Sequence, residues 1–285
     1  MNFINIKQNI WQKKEKNKIL ISAHKGTFGG NIIQNTIPAY ENALKHDADI
    51  IEVDVIMSTD GDFYTFHDGS EKAFIGVDKD IRTMTTKEIE SYTFINGDGV
   101  KIRQKIERLE DVLEYLKGKC LINIDRSWFY WNETIKVLQK HNMADQIILK
   151  SHIDEKLLKT LQDSNSHLMY MPIVDTKEKM DLVMKYQLNL IAAELIFRDL
   201  HSPLIKKEHM QQLKSKGILT WVNAITLSDD IILSAGLDDN KAIIENEDEN
   251  WGKLIDRGFD IIQTDRPLLL KQYVNGKKFN LYKNI

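Results

Sequence analysis

Eight short runs of aliphatic and β-branched residues recur along the chain, at 19–23, 49–55, 121–125, 146–151, 168–174, 190–195, 218–223 and 260–264. Between most of them lie stretches with helical periodicity, such as 38–46, 109–117, 131–141, 155–161 and 177–186. Strand-sized and helix-sized segments in alternation mark parallel βαβ units, because a parallel neighbour is reached only by a crossover long enough to hold a helix. Eight units predict an α/β fold, a single (β/α)8 TIM-type barrel. A doubly wound open sheet would show the same alternation, but the count of eight and the lack of a glycine-rich phosphate loop after the first run favour closure. The 285 residues, 42% of them hydrophobic, suffice for one such core, so 1–285 is read as one domain.

One interval breaks the rhythm. About 65 residues separate the second run from the third, more than a helix and two loops need. Within it Asp60-Gly61 reads as a turn, 63–67 as a returning strand and 86–92 as a short helix. The excursion, at about 69–105, is expected to cap one end of the barrel. The acidic stretch 238–250 is expected to be a solvated loop.

Charge and targeting signals narrow the function. A net charge of −3, from 39 basic and 42 acidic side chains, lacks the basic excess that nucleic-acid binding requires. Residues 1–18 hold no apolar signal region and no window approaches a membrane span, so a cytoplasmic protein without stable membrane insertion is expected. Lys13, Lys14, Lys16 and Lys18 beside Trp11 are read as a solvated helix face rather than a membrane-surface patch. Cys120 is the one cysteine, which excludes an intrachain disulfide and suits a core thiol.

The strand period of two then locates chemistry. In Ile50-Ile51-Glu52-Val53-Asp54-Val55, Glu52 and Asp54 share one face and the branched residues the other, so the carboxylates point into a barrel. Two ionised carboxylates side by side need a cation or a shared proton; the alternative is a pair of salt-bridged structural acids. Asn123 and Asp125 share a face in the same way. Three carboxylates without cysteine or histidine at zinc-like spacing favour Mg²⁺ or Ca²⁺. His24 ends the first run and His67 the returning strand, which places two imidazoles beside that cation. Such a set suits phosphodiester cleavage, with one imidazole taking a proton from the attacking oxygen and the other giving one to the leaving alkoxide. The other histidines, His141 and His209 among them, are read as surface residues.

These residues resemble the motif series of the glycerophosphodiester phosphodiesterases. The resemblance runs through His24-Lys25-Gly26, Gln34-Asn35-Thr36 with Ala43, Ala48-Asp49-Ile50-Ile51-Glu52-Val53-Asp54, Thr59-Asp60-Gly61 and His67-Asp68. It continues in Leu109-Glu110-Asp111-Val112-Leu113, Trp221-Val222-Asn223 and Gly258-Phe259-Asp260-Ile261-Ile262-Gln263-Thr264-Asp265-Arg266-Pro267. It implies a TIM-type barrel, a divalent metal at Glu52, Asp54 and Asp125, catalysis by His24 and His67, and a small-molecule phosphodiester substrate. The expected reaction is hydrolysis of a glycerophosphodiester to glycerol 3-phosphate and an alcohol. Cleavage to a cyclic phosphate, or binding of a phosphate ligand without catalysis, are the competing readings.

Four positions depart from the family pattern, which usually has Arg after the first His, Glu where Gln34 stands, Glu where Asp125 stands and Lys where Ser127 stands. Lys25 keeps the charge but loses the bidentate fork of an arginine. Lys150, near the end of the fourth run, is the candidate replacement for the missing lysine. Glu194 is either a reader of a polar head group or a salt-bridged acid. Lys25, Lys150, Glu194 and Trp221 are the candidate substrate-binding residues.

Overall fold

A computed structural model describes residues 3–276; the ends of the expected 1–285 domain, 1–2 and 277–285, lie outside the described residues. Eight parallel strands close on themselves: β1 (Leu20–Ala23), β2 (Ile50–Met57), β5 (Leu121–Asp125), β6 (Ile147–His152), β7 (Met169–Val174), β8 (Ala192–Leu195), β9 (Leu219–Asn223) and β10 (Ile261–Thr264). Closure is made by β1, which pairs with β10 through Leu20 and Ile261 and with β2 through Ser22 and Ile50. Two further strands, β3 (Phe63–Thr65) and β4 (Glu107–Arg108), extend the top of β2 as an antiparallel ribbon. The expected barrel and its eight strands are thus present, each boundary within two residues of the sequence reading.

The helices are α1 (Phe3–Asn17), α2 (Ile37–Lys45), α3 (Glu71–Phe74), α4 (Thr86–Ser91), α5 (Leu109–Leu116), α6 (Trp131–Lys140), α7 (Glu155–Asp163), α8 (Lys177–Val183), α9 (Lys207–Ser215), α10 (Asp239–Ile244), α11 (Lys253–Asp256) and α12 (Pro267–Val274). Local chemistry sets several starts. Asp154 accepts from the amides of Lys156 and Leu157 at the head of α7, and Pro38 occupies the first turn of α2, where its missing N–H costs nothing. Among the described residues, no helix is long and apolar enough to cross a membrane.

The outward faces of the strands, including Ile21, Ile51, Val53, Ile122, Leu149 and Val222, pack under the helices as the main core. Inside the barrel the alternation builds layers. Leu20, Ile50, Leu121, Ile148, Ala192, Trp221 and Ile261 form an apolar floor. Two residues further along their strands stand Ser22, Glu52, Asn123, Lys150, Glu194, Asn223 and Gln263, all buried. One more step of two brings His24, Asp54, Asp125 and Asp265 to the mouth. A barrel of this size is filled by side chains in such layers, and here the middle layer is polar.

Three expectations are corrected. The lysine-bearing N-terminal segment is not a purely solvated face: α1 closes the floor, with Ile10 in the inner cluster, Lys13 bonded to Asp49 at 3.2 Å and Lys14 to Asp260 at 3.0 Å. Lys16 and Lys18 are exposed. The acidic stretch is α10 and a π-helical turn (Asp248–Gly252), because Asp239 is drawn inside by donors from Trp251, Thr264 and Asp265. His209 is buried on the inner face of α9, so it is no surface residue.

The insertion has its own core of Ile56, Tyr64, Phe66, Ile81, Met84 and Phe94. Its returning strand stops at Thr65. The chain then descends beside β2, where Phe66 N donates to Asp54 O at 3.1 Å, and so delivers His67 to the mouth.

Asp260 ties the floor together: its buried carboxylate accepts from Thr220 N at 3.0 Å, Thr220 Oγ1 at 2.9 Å and Lys214 Nζ at 2.9 Å, besides Lys14. Removing it strands the Thr220 amide in the interior. Asp260→Ala is expected to cost at least ~2 kcal/mol, seen as a lower urea midpoint with an unchanged slope. An unchanged midpoint would contradict the bracing role.

Candidate active site

Glu52, Asp54 and Asp125 each direct a carboxylate oxygen to a common point, the three oxygens lying within 4.8 Å of one another. The register explains this: Glu52 pairs with Asn123 and Asp54 with Asp125 across adjacent parallel strands, so the two β2 acids and the end of β5 share one inward face. Glu52 Oε2 accepts from the Lys25 amide at 2.8 Å, while Oε1 is buried without a hydrogen-bond partner. Asp54 accepts from Asn35 Nδ2 at 2.8 Å, and Lys25 Nζ stands 3.7 Å from the same oxygen. Asp125 accepts from the Arg126 amide at 2.6 Å and is ion-paired with Lys150.

Lys150 is itself buried and shared, with Glu194 at 3.2 Å on its other side. Glu194 accepts from Asn223 Nδ2 at 2.9 Å, and Trp221 Nε1 donates to Asn223 Oδ1 at 3.1 Å. A chain of contacts therefore runs from the floor to the acidic cluster. Trp221 is fully buried in the floor, one layer below Glu194, so of the nine sequence candidates it is the one set apart from the mouth. Ser127, where the family pattern has lysine, is buried with no partner for its hydroxyl, and the ammonium beside Asp125 comes from β6.

Electrostatics follow from this packing. Four carboxylates (Glu52, Asp54, Asp125, Glu194) face two ammonium groups in direct contact (Lys25, Lys150), so the acids outnumber the lysines that pair with them, while Arg126 and the two histidines act on Asp54 from further off. Burial, and then Asp54 and Asp125, push Glu52 well above the usual carboxylate range. Burial acts on Asp54 too, but Lys25, His67, His24 and Asn35 outweigh it and hold that group low. For Lys150, burial is overcome by Asp125, Glu194 and Glu52, and the ammonium is held charged. A divalent cation fits the residues present: it adds positive charge where the acids are in excess, gives Glu52 Oε1 a partner and meets only hard oxygen donors.

Both histidines reach this cluster. His24 follows β1 and its Nδ1 lies 2.9 Å from Asp265 Oδ1. Gly26 makes the turn behind it possible, with φ +82° and no room for a Cβ, which would meet the Ala39 backbone at 2.7 Å. Asp265 is fixed in turn, its amide donating to Asp239 Oδ2 at 2.7 Å. His67 Nδ1 donates to the Asp68 carbonyl at 2.7 Å. The Asp68 carboxylate clasps the Arg126 guanidinium and lies 3.0 Å from Arg82 Nη1.

Residue-by-residue reading missed Asn35, Asp265, Asp239, Asp68 and Arg126. Asn35, Asp68 and Asp265 stand inside the motifs quoted above, so their signal was present as pattern without a role. Asp239 carried no signal beyond an acidic run.

A barrel with an oxygen-donor cluster and two imidazoles at the C-terminal ends of its strands defines a candidate metal-assisted enzyme of the TIM-barrel class. A family model described as a domain of unknown function matches residues 170–274. The chain is 28% identical over 154 residues to a glycerophosphodiester phosphodiesterase of Caldanaerobacter subterraneus, a match covering 52% of this chain and 54% of that protein. The chain thus spans about half the length of the curated relatives it matches. The fold is shared with a glycerophosphoryl diester phosphodiesterase from Parabacteroides distasonis, at a TM-score of 0.73 and 19% identity over 92% of this chain and 88% of that one. It is shared also with a phosphodiesterase of Oleispira antarctica in complex with the product sn-glycerol-3-phosphate, at a TM-score of 0.66 and 15% identity, covering 90% and 96% of the two chains. In sequence over about half its length, and in fold, this chain is similar to glycerophosphodiester phosphodiesterases.

Burial, and then the charge of Asp265, raise Asp239 to about 7. A carboxyl whose folded-state pKa exceeds its unfolded value near 3.9 contributes stability that is complete below that value and is lost as pH rises through about 7. The urea midpoint of the wild type is therefore expected to fall more between pH 5 and pH 8 than that of Asp239→Asn. Parallel pH profiles would contradict the assignment.

Proposed function

We propose that this chain is a divalent-cation-dependent phosphodiesterase that hydrolyses a glycerophosphodiester to glycerol 3-phosphate and an alcohol. The observation that carries the reading is that two imidazoles from separate segments stand beside one acidic cluster: His24 precedes Lys25, whose amide donates to Glu52 Oε2 at 2.8 Å, and His67 follows Phe66, whose amide donates to Asp54 O at 3.1 Å. The curated relatives bear that activity in their names, and the Oleispira protein holds glycerol 3-phosphate.

Glu52, Asp54 and Asp125 would hold the cation, Mg²⁺ or Ca²⁺, which polarises phosphoryl oxygens and offsets their charge. The chain's own groups do the rest. Asp265 engages Nδ1 of His24, so Nε2 is the atom that takes the proton from the attacking water. The Asp68 carbonyl fixes Nδ1–H of His67, so its Nε2 gives a proton to the leaving alcohol. Lys25 supplies positive charge beside the phosphate, and Lys150 replaces from β6 the lysine absent at Ser127. Glu194 holds Lys150 in place from the same layer and is itself held by Asn223, which Trp221 braces from the floor. The insertion caps the mouth, with Arg82 reaching across to Asp68.

Glu52→Gln is expected to remove calorimetric Mg²⁺ and Ca²⁺ binding while the barrel stays folded. Unchanged affinity, or wild-type activity that survives EDTA, would sink the metal assignment. Phosphorus NMR of the products should show glycerol 3-phosphate; accumulation of a cyclic phosphate would replace hydrolysis with transfer to a substrate hydroxyl.

The two histidines are expected to differ. Each alanine variant should lose at least ~10²-fold in kcat on a glycerophosphodiester, as is typical of general acid–base catalysis. A p-nitrophenyl diester, whose leaving group needs no protonation, should rescue His67→Ala but not His24→Ala. Equal rescue would remove the division of labour.

A further inference from the structure

The side of the mouth next to His67 is walled by arginine. Arg126 directly follows Asp125 and adopts a left-handed conformation, φ 59°, which a non-glycine residue takes up at a cost of roughly 1–2 kcal/mol. That turn delivers Nε and Nη2 of its guanidinium to the buried carboxylate of Asp68, the residue after His67. Nη1 keeps no acceptor among the described residues. Arg82, from the insertion, joins the same carboxylate through Nη1 at 3.0 Å and is held on its other edge by Asp80. Both guanidinium groups lie over the half-exposed ring of Phe129, at 5.1 and 5.7 Å from its centre.

Such a wall has a definite preference. Arginine offers donors only and cannot lose its charge. Asp68 and Asp80 offset the two charges, so what the wall offers is N–H donors, Nη1 of Arg126 foremost. A ligand beside it is rewarded for oxygen acceptors, whereas an ammonium group, which has no acceptor, finds no partner there. An aromatic ring can cradle a quaternary ammonium, but a ring already carrying two guanidinium groups is a poor cage for a third cation. Trp128 is packed against Phe129 at 5.7 Å and His152 at 5.0 Å.

Resting on the phosphodiesterase reading, in which the leaving alcohol lies beside His67, we infer that Arg126 and Arg82 select an alcohol rich in oxygen acceptors, a polyol or an anionic alcohol, over an ammonium head group. Asp68 is the positioning residue that holds both arginines.

Steady-state kinetics of the full chain with a divalent cation test this. Glycerophosphoglycerol and glycerophosphoinositol serve as polyols, a phosphorylated glycerophosphoglycerol as the anionic alcohol, and glycerophosphocholine and glycerophosphoethanolamine as ammonium substrates. The wild type is expected to favour the acceptor-bearing substrates in kcat/KM by on the order of tenfold to a hundredfold, the range of hydrogen bonds to charged groups. Comparing the polyol and anionic arms tells which source of acceptors is preferred. Arg126→Met and Arg82→Met should each shrink that ratio, chiefly through KM for the acceptor-bearing substrates, which a general loss of stability would not do. The inference is overturned if glycerophosphocholine or glycerophosphoethanolamine is the better wild-type substrate, or if folded variants keep the wild-type ratio. The wild-type ratio decides the matter even if Arg126→Met does not fold. Failure to hydrolyse any of the diesters would instead overturn the phosphodiesterase reading, and the inference with it.

Discussion

Everything at the mouth of this barrel depends on carboxylates that the strand period forces inward. A buried ionised carboxylate is tolerable only if its charge is met by a partner. Two lysines meet part of the charge of Glu52, Asp54, Asp125 and Glu194, and neither is free to do otherwise: Lys150 is locked between Asp125 and Glu194, and Lys25 stands over Asp54. The excess of carboxylates over lysines, with the unpartnered Oε1 of Glu52, is what supports the proposal that the cluster holds a divalent cation rather than a set of structural ion pairs. The apolar floor below and α1 beneath it close the far end of the barrel.

Orientation is organised outward from that cluster. His24 is held by Asp265, which is held by Asp239, which also accepts from Trp251 and Thr264. His67 is held by the backbone at Asp68, whose side chain fastens Arg126 and Arg82. The two imidazoles thus differ in kind. One is rooted in the barrel through the last strand, and the other arrives on a segment shared with the insertion, which is why opposite sides of the reaction are assigned to them.

Much of this was legible in the sequence because period-two alternation is unambiguous where branched residues mark the outer face. Glu52, Asp54, Asn123 and Asp125 were placed correctly by counting along two strands. The same count along the other strands would have exposed the polar middle layer of Ser22, Lys150, Glu194, Asn223 and Gln263, and with it the partnership of Lys150 with Glu194. The rest was hidden for physical reasons. Asp239 looked solvated because acidic runs usually are, and only tertiary donors from Trp251, Thr264 and Asp265 bring it inside. The lysines of α1 looked free because their partners, Asp49 and Asp260, are distant in sequence, each standing just before a barrel strand. Arg126 carried no signal because its role depends on a left-handed turn that composition does not announce.

The central claim is that Glu52, Asp54 and Asp125 together hold one divalent cation. Anomalous diffraction from crystals soaked in Mn²⁺, an oxygen-preferring ion of the same charge, tests it most directly. The expected result is one strong peak within bonding distance of a carboxylate oxygen from each of the three residues, beside Lys150 and between the two histidines. A map with no peak there, or with Mn²⁺ bound only elsewhere on the chain, would contradict it.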